Sequence, residues 1–226
     1  MEKGFIVFEG ASQLNGDPIV GIVTMKSTNR KTGNMAQLWI LRSDMQPVEA
    51  SQNKKDDAIC GNCKLRQSMG GACYVNIGQA PLQIYRSYKR GIYRKLSIED
   101  FDIFKGTKMR FGAYGDGAAL PLDIMVKLKS MVDNNTSYTH QWETNKEFAD
   151  FSMASVDNVA EKERAKELGF RTFRVVNDES EIDTDEIMCP NYTVGIQCID
   201  CKLCSGNKVK AKNIAIVKHG SWKGRF

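Results

Sequence analysis

Seven cysteines fall into two local groups, Cys60-x2-Cys63-x9-Cys73 and Cys189-x8-Cys198-x2-Cys201-x2-Cys204. Sulfurs at so short a pitch invite metal ligation. The odd count and the early polar residues of Met1–Val7 predict a chain without a secretory leader that stays in a reducing cytoplasm, where seven thiols are not a disulfide framework. Three thiolates spaced as Cys198, Cys201 and Cys204 wrap one face of a cubane iron–sulfur cluster, as in bacterial ferredoxins. Zinc is the alternative, although it usually takes two short knuckles across a longer gap. His140 and His219 are the chain's only histidines, too few for most mixed Cys/His zinc sets.

A four-iron cluster takes four thiolates, and seven thiols divide into one closed set and one set of three. An iron without a protein ligand is an open coordination position, where chemistry happens. In one arrangement Cys189 completes the C-terminal set, and Cys60, Cys63 and Cys73 form the open site. Gly70 and Gly71 would let the chain double back between Cys63 and Cys73. In the other, Cys189 joins the first group and the C-terminal triplet is open. A single metal centre with the other thiols as bystanders also satisfies the count.

The elements that must position these groups read as follows. Phe5–Phe8 and Ile19–Val23 flank the turn signal Leu14-Asn15-Gly16-Asp17-Pro18 and predict an N-terminal hairpin. A second turn at Asn29–Asn34 precedes a strand at Gln37–Leu41. Leu82, Ile84, Tyr85 and Tyr88 have helical spacing and run to Arg90, with Gly91 as the stop. Strands are predicted at Met109–Tyr114, Tyr138–Trp142, Phe151–Val156, Phe170–Val176, Glu186–Cys189 and Asn213–Val217. Between them, helices are predicted from Pro121 to Val132 and from an Asp157 cap to Leu168.

Alternating strands and helices from about residue 108 predict a mainly parallel sheet with right-handed crossovers. Six or seven such strands fit an α/β fold of one domain, residues 1–226. It would be a partial or distorted β/α barrel with an N-terminal β-hairpin and cysteine-rich metal-binding loops. Residues 1–58 hold the first strands, 59–188 the first cysteine loop and β/α units, and 189–226 the C-terminal cysteines and last strand. A doubly wound open sheet is the alternative. Functional groups in such folds gather at the C-terminal strand ends, which brings forward Asp116, His140, Gln141, Ser155, Arg174 and His219. Asp116, His140, Arg174 and His219 are the candidate catalytic groups. Each has an ordinary structural reading too: Asp116 can shape its turn, and His140 can be a satisfied core residue. Arg171 and Arg174 lie three apart and must face opposite sides of a strand; Arg174, nearer the C-terminal end, is expected to point inward.

A three-cysteine loop before a helix, the later glycine- and acid-bearing turn Gly112-Ala113-Tyr114-Gly115-Asp116, and further β/α units with a cysteine-rich end together resemble the radical S-adenosylmethionine (SAM) enzymes. The family spacing is usually Cys-x3-Cys-x2-Cys, and this chain has Cys-x2-Cys-x9-Cys. The resemblance implies an open-sited four-iron cluster on Cys60, Cys63 and Cys73, an auxiliary cluster near the C-terminus, and SAM beside Tyr114, Gly115, Asp116 and Ser155. The strings Gly71–Leu82, Phe111–Asp116, Tyr138–Trp142 and Met153–Asp157 are similar to a bacteriophage-encoded family named only by its gene product. That similarity implies action in the cytoplasm of an infected bacterium and supplies no reaction.

Formal charge is +5 over 226 residues, with 42% hydrophobic and 26% charged residues, as in ordinary globular chains rather than disordered or membrane-spanning ones. Six of the nine residues Asp178–Glu186 are acidic, while Lys202, Lys208, Lys210, Lys212, Lys218, Lys223 and Arg225 follow Asp200 with no acid among them. Arg86, Lys89, Arg90, Arg94 and Lys95 form a second basic cluster. These regions are either solvated faces or contacts for phosphate. No Walker loop, Gly-x-Gly-x-x-Gly or Gly-x-Ser-x-Gly motif is present. Two functions stay open: an iron–sulfur enzyme acting on a small molecule, nucleotide or base, and a metal-stabilised binding protein for nucleic acid or a host protein.

Overall fold

The computed structural model describes residues 3–220 and Gly224; Lys223 and Arg225 of the basic tail, and the N-terminal Met1 and Glu2, lie outside the described residues. Ten strands form one sheet: β1 Gly4–Ala11, β2 Pro18–Thr24, β3 Ala36–Arg42, β4 Arg94–Lys95, β5 Lys108–Tyr114, β6 Asn134–Thr139, β7 Met153–Val156, β8 Thr172–Val176, β9 Glu186–Met188 and β10 Asn213–Val217. Their spatial order is β4-β1-β2-β3-β5-β6-β7-β8-β10-β9. The expected hairpin is β1 and β2, antiparallel around the Leu14–Pro18 turn, and β3 continues it antiparallel. From β3 to β9 every neighbour is parallel.

The sheet is open. Its terminal strands are β4 and β9, so the fold is a mixed α/β sheet that does not close into a ring. Seven parallel strands cannot meet their own first strand here, because the antiparallel pair β1–β2 occupies the free side of β3.

Helices are α1 Pro47–Gln52, α2 Asp57–Cys60, α3 Ala80–Lys89, α4 Leu122–Met131, α5 Val159–Glu167, α6 Pro190–Val194 and α7 Cys198–Cys201. Period-two alternation divides the sheet's faces. Met109 and Phe111 of β5 and Ala154 and Val156 of β7 join one connected core with Met125 and Leu128 of α4 and Ala165 of α5. The intervening residues Arg110, Gly112, Tyr114, Ser155 and Phe173 line a cavity on the other face.

The start of β6 and the cap of α5 differ from expectation. β6 begins at Asn134, not Tyr138, and ends at Thr139. Its first residues are polar, so hydrophobic alternation does not reveal them; Asn135 is buried and its amide donates to the Phe151 carbonyl at 2.6 Å. The α5 cap is Asn158, whose side chain accepts from the Glu161 amide, rather than Asp157, which pairs with Lys64 at 3.2 Å. Among the described residues no helix is long and apolar enough to cross a membrane.

Candidate functional site

The first cysteine group hangs on a braced loop. Cys60 ends α2, Gly61 turns with φ 55°, and the Cys63 amide donates to the Cys60 carbonyl at 3.2 Å. The chain doubles back at Gly70 and Gly71, so that the Cys73 amide reaches the Leu65 carbonyl at 2.8 Å. A Cβ on Gly71 would lie 2.4 Å from the Lys64 carbonyl oxygen, which explains a glycine there. Buried Asp56 ties the loop by accepting from Arg66 at 3.2 Å and Ser68 at 2.7 Å. Gln67 donates to the carbonyls of Cys73 and Val75.

Burial pushes the Cys60 thiol well above its usual range, and the neighbouring Cys63 and Cys73 sulfurs add to it. Cys63 is raised by burial and by Cys73, and Cys73 by burial. Left without a cation these thiols stay protonated; a coordinated metal reverses that preference outright.

The second group starts where β9 ends. The Cys189 amide donates to Ala215 at 2.8 Å, and the Cys198 amide to Lys31 at 2.9 Å. The chain then runs alongside β6, where the Ser137 amide donates to the Cys204 carbonyl at 3.0 Å. Burial raises Cys198, with Cys189 and Cys201 adding and Arg110 opposing. Cys204 is pushed up to about 12, by burial first and then by Cys189, Cys198 and Cys201. Cys189 therefore neighbours the C-terminal triplet. Arg171 fastens this segment by donating to the carbonyls of Leu203 at 2.6 Å, Ala211 at 3.0 Å, Gly206 at 3.2 Å and Lys212 at 2.5 Å.

Between the two groups lies a cavity of about 490 Å3, with Cys60, Cys63 and Cys73 on its lining together with Cys189 and Cys198. That volume suits a small-molecule ligand. Tyr114, Gly115, Asp116, His140, Ser155 and His219 also line it. β5 bulges on the way: Gln37 of β3 pairs Arg110, yet Trp39 pairs Tyr114. The bulge at Gly112, φ 77°, tips Tyr114-Gly115-Asp116 over the cavity. Gly115 has φ 82°, and a Cβ there would lie 2.8 Å from Ile40 Cβ.

Asp116 is committed to the backbone. One oxygen accepts from the Ala118 amide at 3.0 Å and the other from the His140 amide at 2.8 Å, joining the turn after β5 to the end of β6. Burial raises its pKa against those two bonds. His140 Nε2 stands 3.6 Å from Cys63 Sγ and 4.0 Å from Asp157. Burial lowers its pKa while Asp116 and Asp157 oppose, so the imidazole is neutral near pH 7. His219 stacks on Tyr74 with ring centroids 5.5 Å apart.

Two expected lining groups are elsewhere. Phe173 faces the cavity, so Arg174 has the other parity on β8; it forms a buried pair with Glu186 at 2.5 Å. Arg174 is therefore corrected from a mouth residue to a core ion pair. The Gln141 side chain packs on Gly61, donates to the Cys60 carbonyl at 3.3 Å, and lines a separate surface hollow. The notable cavity residues that sequence reasoning passed over are Lys31, Tyr74, Arg110 and Tyr138. The available signal was Arg110, a full charge within the apolar run Met109–Tyr114.

Among the described residues no three His, Cys, Asp or Glu side chains converge closely enough to cage a single metal ion. Comparison with family models, curated proteins and solved structures finds no match to this chain.

Proposed function

We propose that this chain is an iron–sulfur protein with two thiolate centres facing one ligand cavity, acting as a radical-SAM-like enzyme on a small molecule, nucleotide or base. The observation that carries this reading is that five of the seven free thiols, Cys60, Cys63, Cys73, Cys189 and Cys198, line one cavity, three from the first group and two from the second. The donor set fits the group: every candidate ligand is a thiol, and cluster ligands stand at the corners of a body larger than one ion. The set of three would leave one iron open, and the set of four would close a second centre. The open sheet, with core on one face and cavity on the other, supports a partial barrel. Cytoplasmic action in an infected bacterium belongs to the same proposal.

When bound, an open-sited cluster supplies one electron, drawn from an external reductant, for reductive cleavage of SAM. The protein's own residues do the rest. Cys60, Cys63 and Cys73 hold that centre, and Asp116 fixes the Tyr114–Gly115 turn at the wall where SAM would lie. Neutral His140 is placed to hydrogen bond the Cys63 sulfur. Leu65, Val75, Phe173 and Ile216 make much of the lining apolar, which excludes water from reactive species.

A second reading has its own observation. Arg171 anchors the C-terminal cysteine segment through its carbonyls, and a metal held there, zinc included, would serve structure; the chain would then be a metal-stabilised binding protein. Anaerobic reconstitution separates the two. Brown protein containing iron and sulfide, whose cluster spectrum shifts on adding SAM, supports the enzyme. Colourless protein with stoichiometric zinc contradicts it.

A further inference from the structure

Arg110 is 7% exposed, lines the cavity, and has no carboxylate partner among the described residues. A guanidinium offers five N–H donors. Among the described residues the acceptor it reaches is the Tyr74 hydroxyl, at 2.5 Å. Lys31, exposed at the cavity rim, brings a second positive charge near it. Both approach the Tyr74 ring, whose centroid is 5.5 Å from the Lys31 ammonium and 5.9 Å from the Arg110 guanidinium. A buried cation without a carboxylate partner is costly, and a second positive charge nearby adds to that cost. Arginine in such a place suits planar, bidentate recognition of a carboxylate or phosphate.

We propose that Arg110 and Lys31 form an anion subsite that holds the carboxylate or phosphate of the cavity's small-molecule ligand. Tyr74 and His219, stacked with ring centroids 5.5 Å apart, line the cavity beside that charge. This rests on the proposed use of the cavity as the ligand site, and not on which metal the thiols hold.

The test is calorimetric titration of the reconstituted protein with inorganic phosphate, with benzoate, and with neutral benzamide, alongside its iron content. The subsite predicts that at least one anion binds and benzamide binds far more weakly; the tighter anion identifies the ligand chemistry. Arg110→Gln weakens that binding by about tenfold or more, and Lys31→Gln by a few-fold. Lys105→Gln, an exposed residue paired with Asp102, leaves it unchanged. Should Arg110→Gln not fold, rim-exposed Lys31→Gln decides. Binding of neither anion, or binding indifferent to both substitutions, overturns the proposal. Loss of iron in Arg110→Gln with anion affinity intact also overturns it, since Arg110 would then serve only the thiolates beside it, Cys73 and Cys198. Anion binding through Arg110 in protein that takes up no iron would sustain the subsite while removing the metal reading.

Discussion

Arg171 and Arg174 show what one residue's parity decides. Three apart, they would face opposite sides of a strand, but Arg171 precedes β8 and only Arg174 lies within it. Choosing between them needed to know which face of β8 carries the helices, and that is long-range information. Arg174 went to the core with Glu186, while Arg171 went to the carbonyls of the C-terminal cysteine segment. Arg171→Met should cost about 2–4 kcal/mol, because charged hydrogen bonds are lost and buried carbonyls are left unpaired. Urea unfolding checks this, and a change below about 0.5 kcal/mol would mean that the segment is held by other contacts. Gly115→Ala should also destabilise, by roughly 1–3 kcal/mol, since it combines a left-handed backbone with contact on Ile40. An unchanged melting temperature would show that the turn over the cavity adapts to a side chain.

At the scale of elements, apolar strands were legible and the polar one was not. Met109–Tyr114 and Asn213–Val217 announce themselves by hydrophobic runs, whereas β6 carries buried Asn135, Thr136 and Ser137, and Asn135 and Ser137 find their partners in the segment before β7. Asn135→Ala should lose about 1–3 kcal/mol through the unpaired Phe151 carbonyl, measured against Asn134→Ala as a neighbouring control. A smaller loss at Asn135 than at Asn134 would contradict the pairing. The acidic run Asp178–Glu186, read from sequence only as charge, has a structural partner in α5. Lys162 is 1% exposed and bonds Asp183 and Asp185 at 2.6 Å each. Burial alone would raise the Asp185 carboxyl, but Lys162 and Lys166 outweigh it and hold its pKa down to about 2. A carboxylate depressed in the folded state stabilises above its unfolded pKa of about 3.9, and that contribution disappears as pH falls from there through the folded value. Asp185→Asn should therefore be less stable than wild type near neutral pH and converge with it below about pH 2–3. Equal stability of the two proteins at pH 6 would refute this linkage.

For the whole molecule, the order of parallel strands could be read because each β/α unit is local, with its periodicity and stop signals inside a short window. Closure could not, because it depends on how β3 is flanked by the hairpin. The two cysteine groups were visible as spacing. Their placement on one cavity, with the second group's segment running alongside β6, follows from contacts such as Ser137 to Cys204 that no spacing encodes. The central claim is that the two groups are separate centres, and metal analysis of Cys63→Ser and Cys201→Ser after anaerobic reconstitution tests it most directly. The account predicts that wild-type protein carries two clusters, and that each variant keeps about half of the iron and sulfide, held by the group left intact. Loss of all iron from either single variant, or zinc without sulfide in the wild-type protein, would contradict it.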